Sequence, residues 1–386
     1  METEPIDLAD VRQRIRANEA SLNGFFAERG PEIRGLTVAS LTGTHVWLYG
    51  LPGVAKTLLF NCAVAQFDGS SGDYLFSAQT TIDEVIAARR IKEYIAGDPS
   101  AYTNQGLLSS REFALLDEGF KCNSGTLNGC LAWLNERRLP GGMTSPLVSA
   151  VLCSNEPPAD KSLAPLRDRL QQAFIVEPLG RDEKIALLRR VKAGARFDAS
   201  QLAPVSEAER LAVQAAIKAM PIDDSVDVAL ADLAETLDGM GIYVSDRLLV
   251  AALDILRGYA WLEGRTAVLL DGLEPLQHVL WNVPEEKPAV QAALAALSKG
   301  LVGDIRLAVD AALAESDVKA ALAGTVDRGT GNAALSTLEA CGRSVKGMVE
   351  DYPKGHAVLD RAGEYLAELA SAYRAVKANV AAGADL

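Results

Sequence analysis

A glycine-containing loop is the part of the sequence with the clearest chemical potential. The segment Gly50-Leu51-Pro52-Gly53-Val54-Ala55-Lys56-Thr57 follows a short apolar run and opens a helical pattern. It matches the phosphate-binding pattern G-x-x-x-x-G-K-[ST], with alanine in place of the last glycine. Glycines let successive backbone N–H groups point at phosphate oxygens, and the start of the following helix adds its dipole. The loop therefore predicts a site for the phosphates of a nucleotide.

Two side chains of this loop are predicted to have different roles in binding the nucleotide. Lys56 would reach the β and γ phosphates of ATP, and the Thr57 hydroxyl would ligate Mg²⁺. An alanine at position 55 can still supply its N–H if it starts the helix in a right-handed conformation. The residues predicted to contact the nucleotide are Gly50, Pro52, Gly53, Val54, Ala55, Lys56, Thr57 and Leu58.

Two adjacent carboxylates end a second apolar run. The run Phe113-Ala114-Leu115-Leu116 predicts a buried strand, and Asp117 and Glu118 follow it directly. Asp117 would hold Mg²⁺, commonly through its waters, and Glu118 would polarise the attacking water. Such a pair can also cap a helix beside a solvated neighbour. Because a phosphate-binding loop lies upstream, the pattern favours Mg²⁺-dependent ATP hydrolysis.

Composition narrows the remaining classes of function. The 386 residues carry 38 Lys and Arg against 51 Asp and Glu, a net charge of −13. Since binding to nucleic acid depends on clustered cations, this charge argues against a nucleic-acid partner. The start of the sequence lacks a basic segment followed by an apolar one, and no apolar run has the length of a membrane span. The expected location is the cytoplasm.

Cysteine and histidine are placed for packing rather than for metal or nucleophilic chemistry. The five cysteines include no C-x-x-C pair, and the three histidines lie far apart along the chain. Neither set has the spacing of metal ligands or of a hydrolase triad. These residues are Cys62, Cys122, Cys130, Cys153, Cys341, His45, His278 and His356.

The elements that must position these groups alternate over the first part of the chain. Two helices are predicted within residues 7–42, followed by short apolar strands separated by helices, with a helix over residues 56–65 after the loop. This alternation predicts an α/β domain with a mostly parallel sheet over residues 1–180. The pattern then turns all-helical over residues 181–284, with its strongest helix over residues 248–261.

The last segment is rich in alanine and has heptad-like spacing. Three helices, interrupted at Gly324–Gly331 and at Pro353-Lys354-Gly355, predict a three-helix antiparallel bundle over residues 285–386. The apolar positions of these helices are Val290, Leu294, Leu297 and Leu301, then Leu335, Leu338, Gly342, Val345 and Val349, then Leu359, Ala362, Leu366, Leu369, Tyr373, Val376 and Val380.

Several motifs together resemble a known family. Besides the two segments above, the set comprises Leu134-Asn135-Glu136-Arg137 and Cys153-Ser154-Asn155-Glu156-Pro157. It resembles the MoxR-type AAA+ ATPases, closest to the RavA-like subgroup, in which the Pro-Gly-x-Ala-Lys form of the loop is usual. Tyr243-Val244-Ser245-Asp246-Arg247 strengthens the subgroup assignment. The resemblance covers about residues 8–283 and implies an AAA+ α/β core followed by an all-α lid, ahead of the C-terminal helical bundle.

The resemblance also implies further site residues. Asn155 matches sensor 1, which orients the attacking water, with a turn at the strand end as the alternative. Arg169 matches the arginine finger that reaches the neighbouring subunit's nucleotide, with Arg167 as a rival and a surface ion pair as the alternative. Arg247 matches sensor 2, which touches the phosphates from the lid, and a salt bridge at a helix start would also explain it.

Two surface segments are expected to project from the core. The material between Phe76 and Arg111 corresponds to an insert that lines the ring's pore in this family, and Tyr94 and Tyr102 could contact a partner there. Ala87-Ala88 stands where relatives often have Gly-Pro. The turn over residues 137–142 would form a second hairpin. RavA-like relatives carry a β-rich partner-binding module where this sequence has only a short loop. The partners of that module are therefore not predicted for this protein.

The predicted function is an ATPase that remodels or matures another protein. The resemblance implies a hexamer and a partner with a von Willebrand factor A (vWA) domain. An alternative is a nucleotide-gated scaffold with slow turnover, in which the heptads of the last segment pair with other helices. Deleting residues 285–386 would separate the two, because a scaffold would lose its partners and keep its ATPase activity. A DNA motor fits the acidic charge poorly.

Overall fold

A computed structural model describes residues 6–158, 164–324, 327–349 and 357–383. The chain forms two compact units, Met1–Leu262 with Thr266–Gln291, and Glu263–Arg265 with Ala292–Leu386. The division into three domains at residues 180 and 284 stays a prediction. Among the described residues, no helix is both long and apolar enough to cross a membrane.

A five-stranded parallel sheet forms the centre of the first unit. Its strands are β1 Val46–Tyr49, β2 Ser71–Leu75, β5 Phe113–Asp117, β6 Ser149–Ser154 and β7 Gln172–Ile175. They lie in the order β2-β5-β6-β1-β7, and each pairs in parallel with its neighbours. The central strands β5, β6 and β1 are buried along nearly their whole length and carry mostly apolar residues, as expected for a parallel sheet covered on both faces. The predicted parallel α/β sheet is confirmed.

The register of the strands brings the predicted site residues to one edge. Tyr49 pairs with Ser154, and Leu75 pairs with Asp117. Since all strands run in the same direction, the residues that follow β1, β5 and β6 emerge at the same end of the sheet. This edge is where ligands bind in open α/β sheets.

Helices and short connections surround the sheet. The two N-terminal helices and the helix after the phosphate-binding loop form as predicted, the latter ending at Val64. The helices of the first unit are α1 Leu8–Phe25, α2 Gly30–Thr42, α3 Lys56–Val64, α4 Ile82–Val85, α5 Ile91–Ile95, α6 Ser124–Gly129, α7 Leu131–Glu136, α8 Ala164–Arg167, α9 Arg181–Lys192, α10 Glu207–Ala219, α11 Asp224–Gly239 and α12 Asp246–Glu263, whose last residue belongs to the second unit.

The predicted insert is a small hairpin with an exposed tip. Its strands are β3 Ala88–Arg89 and β4 Tyr102–Thr103, which pair antiparallel, and α5 lies between them. The Arg89 guanidinium lies 4.5 Å from the ring centre of Tyr94 and 4.7 Å from that of Tyr102. Both tyrosines therefore contact an arginine of their own hairpin, and these cation–π contacts connect α5 with β3 and β4. The second predicted hairpin has one antiparallel bridge, between Arg138 and Thr144.

The second unit is built from more helices than the sequence pattern predicts. Its described helices are four rather than three: α13 Lys287–Ala314, whose first residues belong to the first unit, α14 Ser316–Ala323, α15 Arg328–Val349 and α16 Ala357–Gly383. The extra break comes at Glu315, whose extended backbone (ψ 140°) ends the helical path. Gly331 lies inside α15, because Asp327 caps that helix by accepting the N–H groups of Gly329 and Thr330. The break predicted at residues 353–355 lies outside the described residues.

The heptad positions of α15 and α16 pack inside this unit. Its core contains Leu338, Val345, Ala362, Leu369 and Val376, with Leu366, Tyr373 and Val380 packed against it. From α13 the core takes Ile305, Val309 and Ala312, which the sequence pattern does not single out. The side chains of Leu301 and Leu359 lie outside the described residues. Because the heptad faces are covered by one another, they are not the free surface that a scaffold would use.

Candidate functional site

The phosphate-binding loop leaves the sheet directly after β1. The N–H of Gly50 donates to the carbonyl of Ser154 at 3.0 Å, which extends the β1–β6 pairing by one residue. A Cβ atom at Gly50 would lie 2.4 Å from the carbonyl oxygen of Val176. Glycine is required there because the chain after β7 passes too close for any side chain.

Ala55 adopts a conformation that differs from the predicted one. Its φ is 66° and its ψ is 31°, in the left-handed region, where it precedes the first residue of α3. The right-handed start proposed for this alanine is wrong, since the loop must reverse direction before the helix can begin. A non-glycine residue costs about 1–2 kcal/mol in this region. Strain of this kind is concentrated at functional sites.

Lys56 is buried within the loop that it is predicted to serve. Its ammonium donates to the carbonyl oxygens of Gly50 at 2.6 Å and Leu51 at 3.2 Å. The first turn of α3 thus places a cation at the concave side of the loop, where phosphate oxygens would be held by N–H groups.

Thr57 and Asp117 meet across the sheet edge. The Thr57 hydroxyl donates to Oδ2 of Asp117 at 3.3 Å. A hydroxyl and a carboxylate are hard oxygen ligands, and Mg²⁺ is commonly held by one or two such groups with waters and substrate phosphates. The described residues contain no group of three or more His, Cys, Asp or Glu side chains suited to a metal. The donor set fits Mg²⁺ bound jointly with a nucleotide.

Glu118 and Asn155 follow the two strands beside the loop. Glu118 has a left-handed backbone, φ 52°, and its carboxylate lies 3.2 Å from the ammonium of Lys121. Asn155 follows β6, and its buried Oδ1 has no hydrogen-bond partner within the described residues. A buried oxygen without a partner costs about 1–3 kcal/mol. Such an acceptor suits a residue whose partner is the O–H of a reacting water.

Cys153, a residue of β6, is influenced electrostatically by several of the candidate site residues. Burial raises the pKa of its thiol, and Asp117, Lys56 and Glu118 all act on it electrostatically. These candidate site residues therefore lie within electrostatic range of Cys153 in β6. All five cysteines are buried, as expected for packing residues. His45 is buried as well, and His356 lies outside the described residues.

The two candidate arginine fingers lie in different surroundings. The Arg167 guanidinium lies 5.2 Å from the ring centre of Trp47 and 5.5 Å from that of Trp281. It also donates to the carbonyls of Leu170 and Trp281. Arg169 is only partly buried and donates to the carbonyl of Pro165 at 2.6 Å. Arg167 is thus fixed in the interior, whereas the side chain of Arg169 is partly exposed.

Arg247 lies at the start of α12. Its guanidinium donates to Oδ2 of Asp168 at 3.0 Å, and half of the Arg247 side chain is exposed. The salt bridge at a helix start, which the sequence left open for this residue, is therefore present. It links the proposed sensor 2 to the segment that carries Arg169.

A cavity of about 700 Å³ adjoins the loop, and no motif of the sequence predicted it. Its floor is the loop itself and α3, through Leu51, Val54 and Leu58. Aromatic side chains from two segments far apart in the chain, Phe25 and Phe197, line it together with apolar residues of α9. An apolar, aromatic-lined cavity beside a phosphate site suits the base of a nucleotide.

Comparisons with known proteins agree with this geometry. A family model described as the MoxR domain in the MoxR-vWA-beta-propeller ternary systems matches residues 13–219, and an AAA lid domain model matches residues 225–294. Two uncharacterized proteins of Methanocaldococcus jannaschii are each 28% identical, over 71% and 73% of this chain and 72% and 75% of their own lengths.

A solved structure has the same fold. The crystal structure of a candidate ATPase from Cytophaga hutchinsonii superposes with a TM-score of 0.61 at 18% identity, over 76% of this chain and 95% of that one. At this identity the likeness shows the fold alone. With the family model matching more than half of the sequence, the chain belongs to the MoxR-type AAA+ ATPases.

Proposed function

We propose that this ATPase drives the remodelling or maturation of a partner protein that carries a vWA domain. The convergence of Lys56, Thr57, Asp117, Glu118 and Asn155 at one sheet edge supports the site of hydrolysis. The family description supports the partner, since it names MoxR domains that work with vWA and β-propeller proteins. A β-propeller protein is therefore the second partner we expect.

The hydrolytic step follows from the residues at the edge. Lys56 binds the β and γ phosphates, and the loop's N–H groups hold them in place. Thr57 and Asp117 would hold Mg²⁺, which would neutralise charge on the phosphate oxygens. Glu118 accepts a proton from the attacking water, and Asn155 orients that water through its unpaired Oδ1. The aromatic-lined cavity takes the base.

Arg169 completes a site that belongs to the next subunit. A trans arginine stabilises charge that develops on the transferred phosphoryl group, which requires a ring. The buried position of Arg167 supports this assignment, because a guanidinium packed against two tryptophans in the interior cannot extend into a neighbour. We expect a hexamer, with Arg247 touching the phosphates from the lid of the same subunit. The RavA-like subgroup stays a prediction from the motifs, and so does the cytoplasmic location.

A capture experiment from the native cell tests the partner. Glu118→Gln protein should bind ATP and stay in its ATP form, and it serves as the bait, with mass spectrometry as the readout. We expect a vWA-domain protein to be enriched, together with a β-propeller protein, and both to be lost with Lys56→Ala bait. Bait that returns only itself in the presence of ATP would contradict the proposed partner.

A further inference from the structure

Helix α9 packs only loosely on its own chain. None of the residues of this 12-residue helix is buried. Leu188 is 60% exposed, and the exposed residues Lys184 and Lys192 lie four residues before it and four residues after it. Residues four apart share one side of a helix, so these three form one surface, the basic face of α9. A helix of this length is marginal in water unless it packs against another surface.

Helix α11 has the same arrangement with the opposite charge. Val228 is 62% exposed, and the exposed residues Asp224 and Asp232 lie four residues before it and four residues after it. These three form the acidic face of α11. In each helix two charges flank an apolar side chain, and the flanking residues are about 12 Å apart along the axis. The two faces therefore match in length, in charge and in the position of the apolar residue.

The charges of α11 are not balanced within the helix. Its five acidic residues are accompanied by no Lys, Arg or His. Glu235 lies three residues from Asp232 and three from Asp238, and like charges at this spacing repel each other. Asp238 also lies in the last turn, where the helix dipole disfavours an anion. Cations brought to α11 from another surface would relieve this repulsion.

The two faces do not neutralise each other within one chain. Among the residues that the structure describes, no ion pair involves either face. The charges of both faces are therefore available to a partner, and so are Leu188 and Val228.

Helix α1 separates the places where α9 and the start of α11 are attached. Arg190 of α9 donates to the carbonyl of the last residue of α1. Arg12, in the first turns of α1, donates to the carbonyl of Trp261 at 3.3 Å. One turn earlier in α12, Arg257 donates at 3.0 Å to the carbonyl of Met220, shortly before α11 begins. The two attachment points lie about 20 Å apart along α1, which is more than the screening length at physiological salt.

We propose that the basic face of α9 in one copy of this chain packs on the acidic face of α11 in the next copy. Both lysines would then meet an aspartate, and Leu188 would cover Val228. Two different surfaces of one chain that fit each other give a head-to-tail contact, and such contacts close into rings. This inference rests on the proposed function, in which the copies form a ring, and it names the surfaces that join them.

Charge reversal tests the contact in the full chain. The α9 reversal is Lys184→Glu with Lys192→Glu, and the α11 reversal is Asp224→Lys with Asp232→Lys. Every protein also carries Glu118→Gln, so that ATP persists during the measurement. Sedimentation velocity with ATP and Mg²⁺ gives the protein concentration at which assembly is half complete.

Each reversal alone should raise that concentration about tenfold or more, because like charges then face each other at both ends of the contact. An equal mixture of the two variants should assemble within about threefold of the parent, since copies that alternate around an even-numbered ring restore every opposite pair. One chain that carries both reversals should do the same. Because rescue requires folded subunits, it separates a lost contact from a misfolded variant.

Reversed variants that assemble as readily as the parent would overturn the interface, and so would an absence of rescue in the mixture or in the doubly reversed chain. In either case the parent still assembles, and the ring of the proposed function stands. A parent protein that stays monomeric would overturn both the ring and the interface. Rescue that stops at dimers would support the contact and contradict the ring.

Lys218→Glu is the matched control for Lys192→Glu. Both residues are exposed lysines in the last turn of a helix, α10 and α9 respectively, so the two changes have the same effect on the helix dipole. Lys192→Glu should raise the half-assembly concentration about threefold, and Lys218→Glu should leave it unchanged. Equal effects would show a general dependence on charge and overturn the interface. Lys184 also lines the cavity beside the loop, whereas the α11 reversal changes no residue of that cavity and has the same expected result.

Discussion

The Thr57 hydroxyl donates a hydrogen bond to the Asp117 carboxylate at 3.3 Å. The two residues are 60 positions apart, one in the first turn of a helix and the other at the end of a strand. The contact connects the phosphate-binding loop with the acidic end of β5. It places two oxygen ligands where Mg²⁺ would be shared with a nucleotide.

Substitutions of Lys56 and Glu118 should affect ATP binding and ATP turnover differently. Lys56→Ala should weaken ATP binding about tenfold or more, because the charged contact to the phosphates is lost. Glu118→Gln should bind ATP normally and lower kcat by about 10²–10⁴-fold, since the amide cannot accept a proton from water. Nucleotide titration and steady-state turnover measure the two effects. Full turnover in both variants would contradict the assigned site.

The left-handed conformation of Ala55 predicts that glycine is better there. Ala55→Gly should stabilise the first unit by about 1 kcal/mol, because the steric cost of the alanine is removed. Gly53→Ala is the opposite change in the same loop, at φ 84° with nothing within 4 Å of the added Cβ. It should destabilise by a similar amount through the backbone alone.

Urea unfolding followed by tryptophan fluorescence measures both variants. The four tryptophans, at positions 47, 133, 261 and 281, all lie in the first unit. A lower midpoint for Ala55→Gly would show that the left-handed conformation carries no strain.

Replacing Arg167 should lower the stability of the protein, whereas replacing Arg169 should lower its turnover. Arg167→Ala removes a buried guanidinium that packs against Trp47 and Trp281. We expect a loss of about 3 kcal/mol in the free energy of unfolding. Arg169→Ala should melt within a few degrees of the parent protein and lose about a thousandfold in kcat, as a finger does. Melting temperature and turnover, measured on both variants, test this. A stable but inactive Arg167→Ala protein would reverse the assignment.

Two glycines of α15 should respond oppositely to the same substitution. A Cβ at Gly331 would lie 2.2 Å from Cγ2 of Val380, whereas one at Gly342 would meet nothing within 4 Å. Gly331→Ala should therefore destabilise the second unit by about 1–3 kcal/mol, because a valine in a helix has little freedom to turn away. Gly342→Ala should stabilise it by about 0.5–1 kcal/mol through helix propensity. Far-UV circular dichroism on heating distinguishes them, and shifts of the same sign would contradict the packing.

His45 should make the first unit sensitive to acid. Burial, and then the charge of Arg137, lower its pKa to about 3. The N–H of Ala150 donates to Nδ1 at 3.0 Å, so a proton on that nitrogen would break a buried hydrogen bond. The unfolded chain takes up this proton near pH 6.5 and the folded chain does not. Stability from this residue is therefore full above pH 6.5 and falls as the pH drops from there toward 3, by about 1.4 kcal/mol per pH unit.

Urea unfolding at pH 7 and pH 5 measures the effect. His45→Asn keeps an acceptor for Ala150 and does not titrate, so its unfolding free energy should depend less steeply on pH. An identical pH dependence in both proteins would contradict the role of His45. His278, whose pKa burial lowers to about 4, contributes with the same sign and is common to both.

Local sequence determined the strands and the loop, and it predicted the candidate site residues. The apolar run before Gly50 and the run before Asp117 each predicted a buried strand, because burial on both faces of a sheet requires an unbroken apolar segment. Lys56 and Thr57 follow from the spacing of the loop, and the heptads of α15 and α16 predicted their helices. These features depend on residues close together in the chain.

Tertiary structure decided everything that depends on approach between distant segments. Three features have no local signature: the left-handed turn at Ala55, the packing of Arg167 against Trp47 and Trp281, and the choice of Asp168 as the partner of Arg247. The cavity beside the loop is likewise made by segments that are distant in sequence. Local patterns fix a residue's conformation and its buried face, but which partner meets that face depends on how the elements pack.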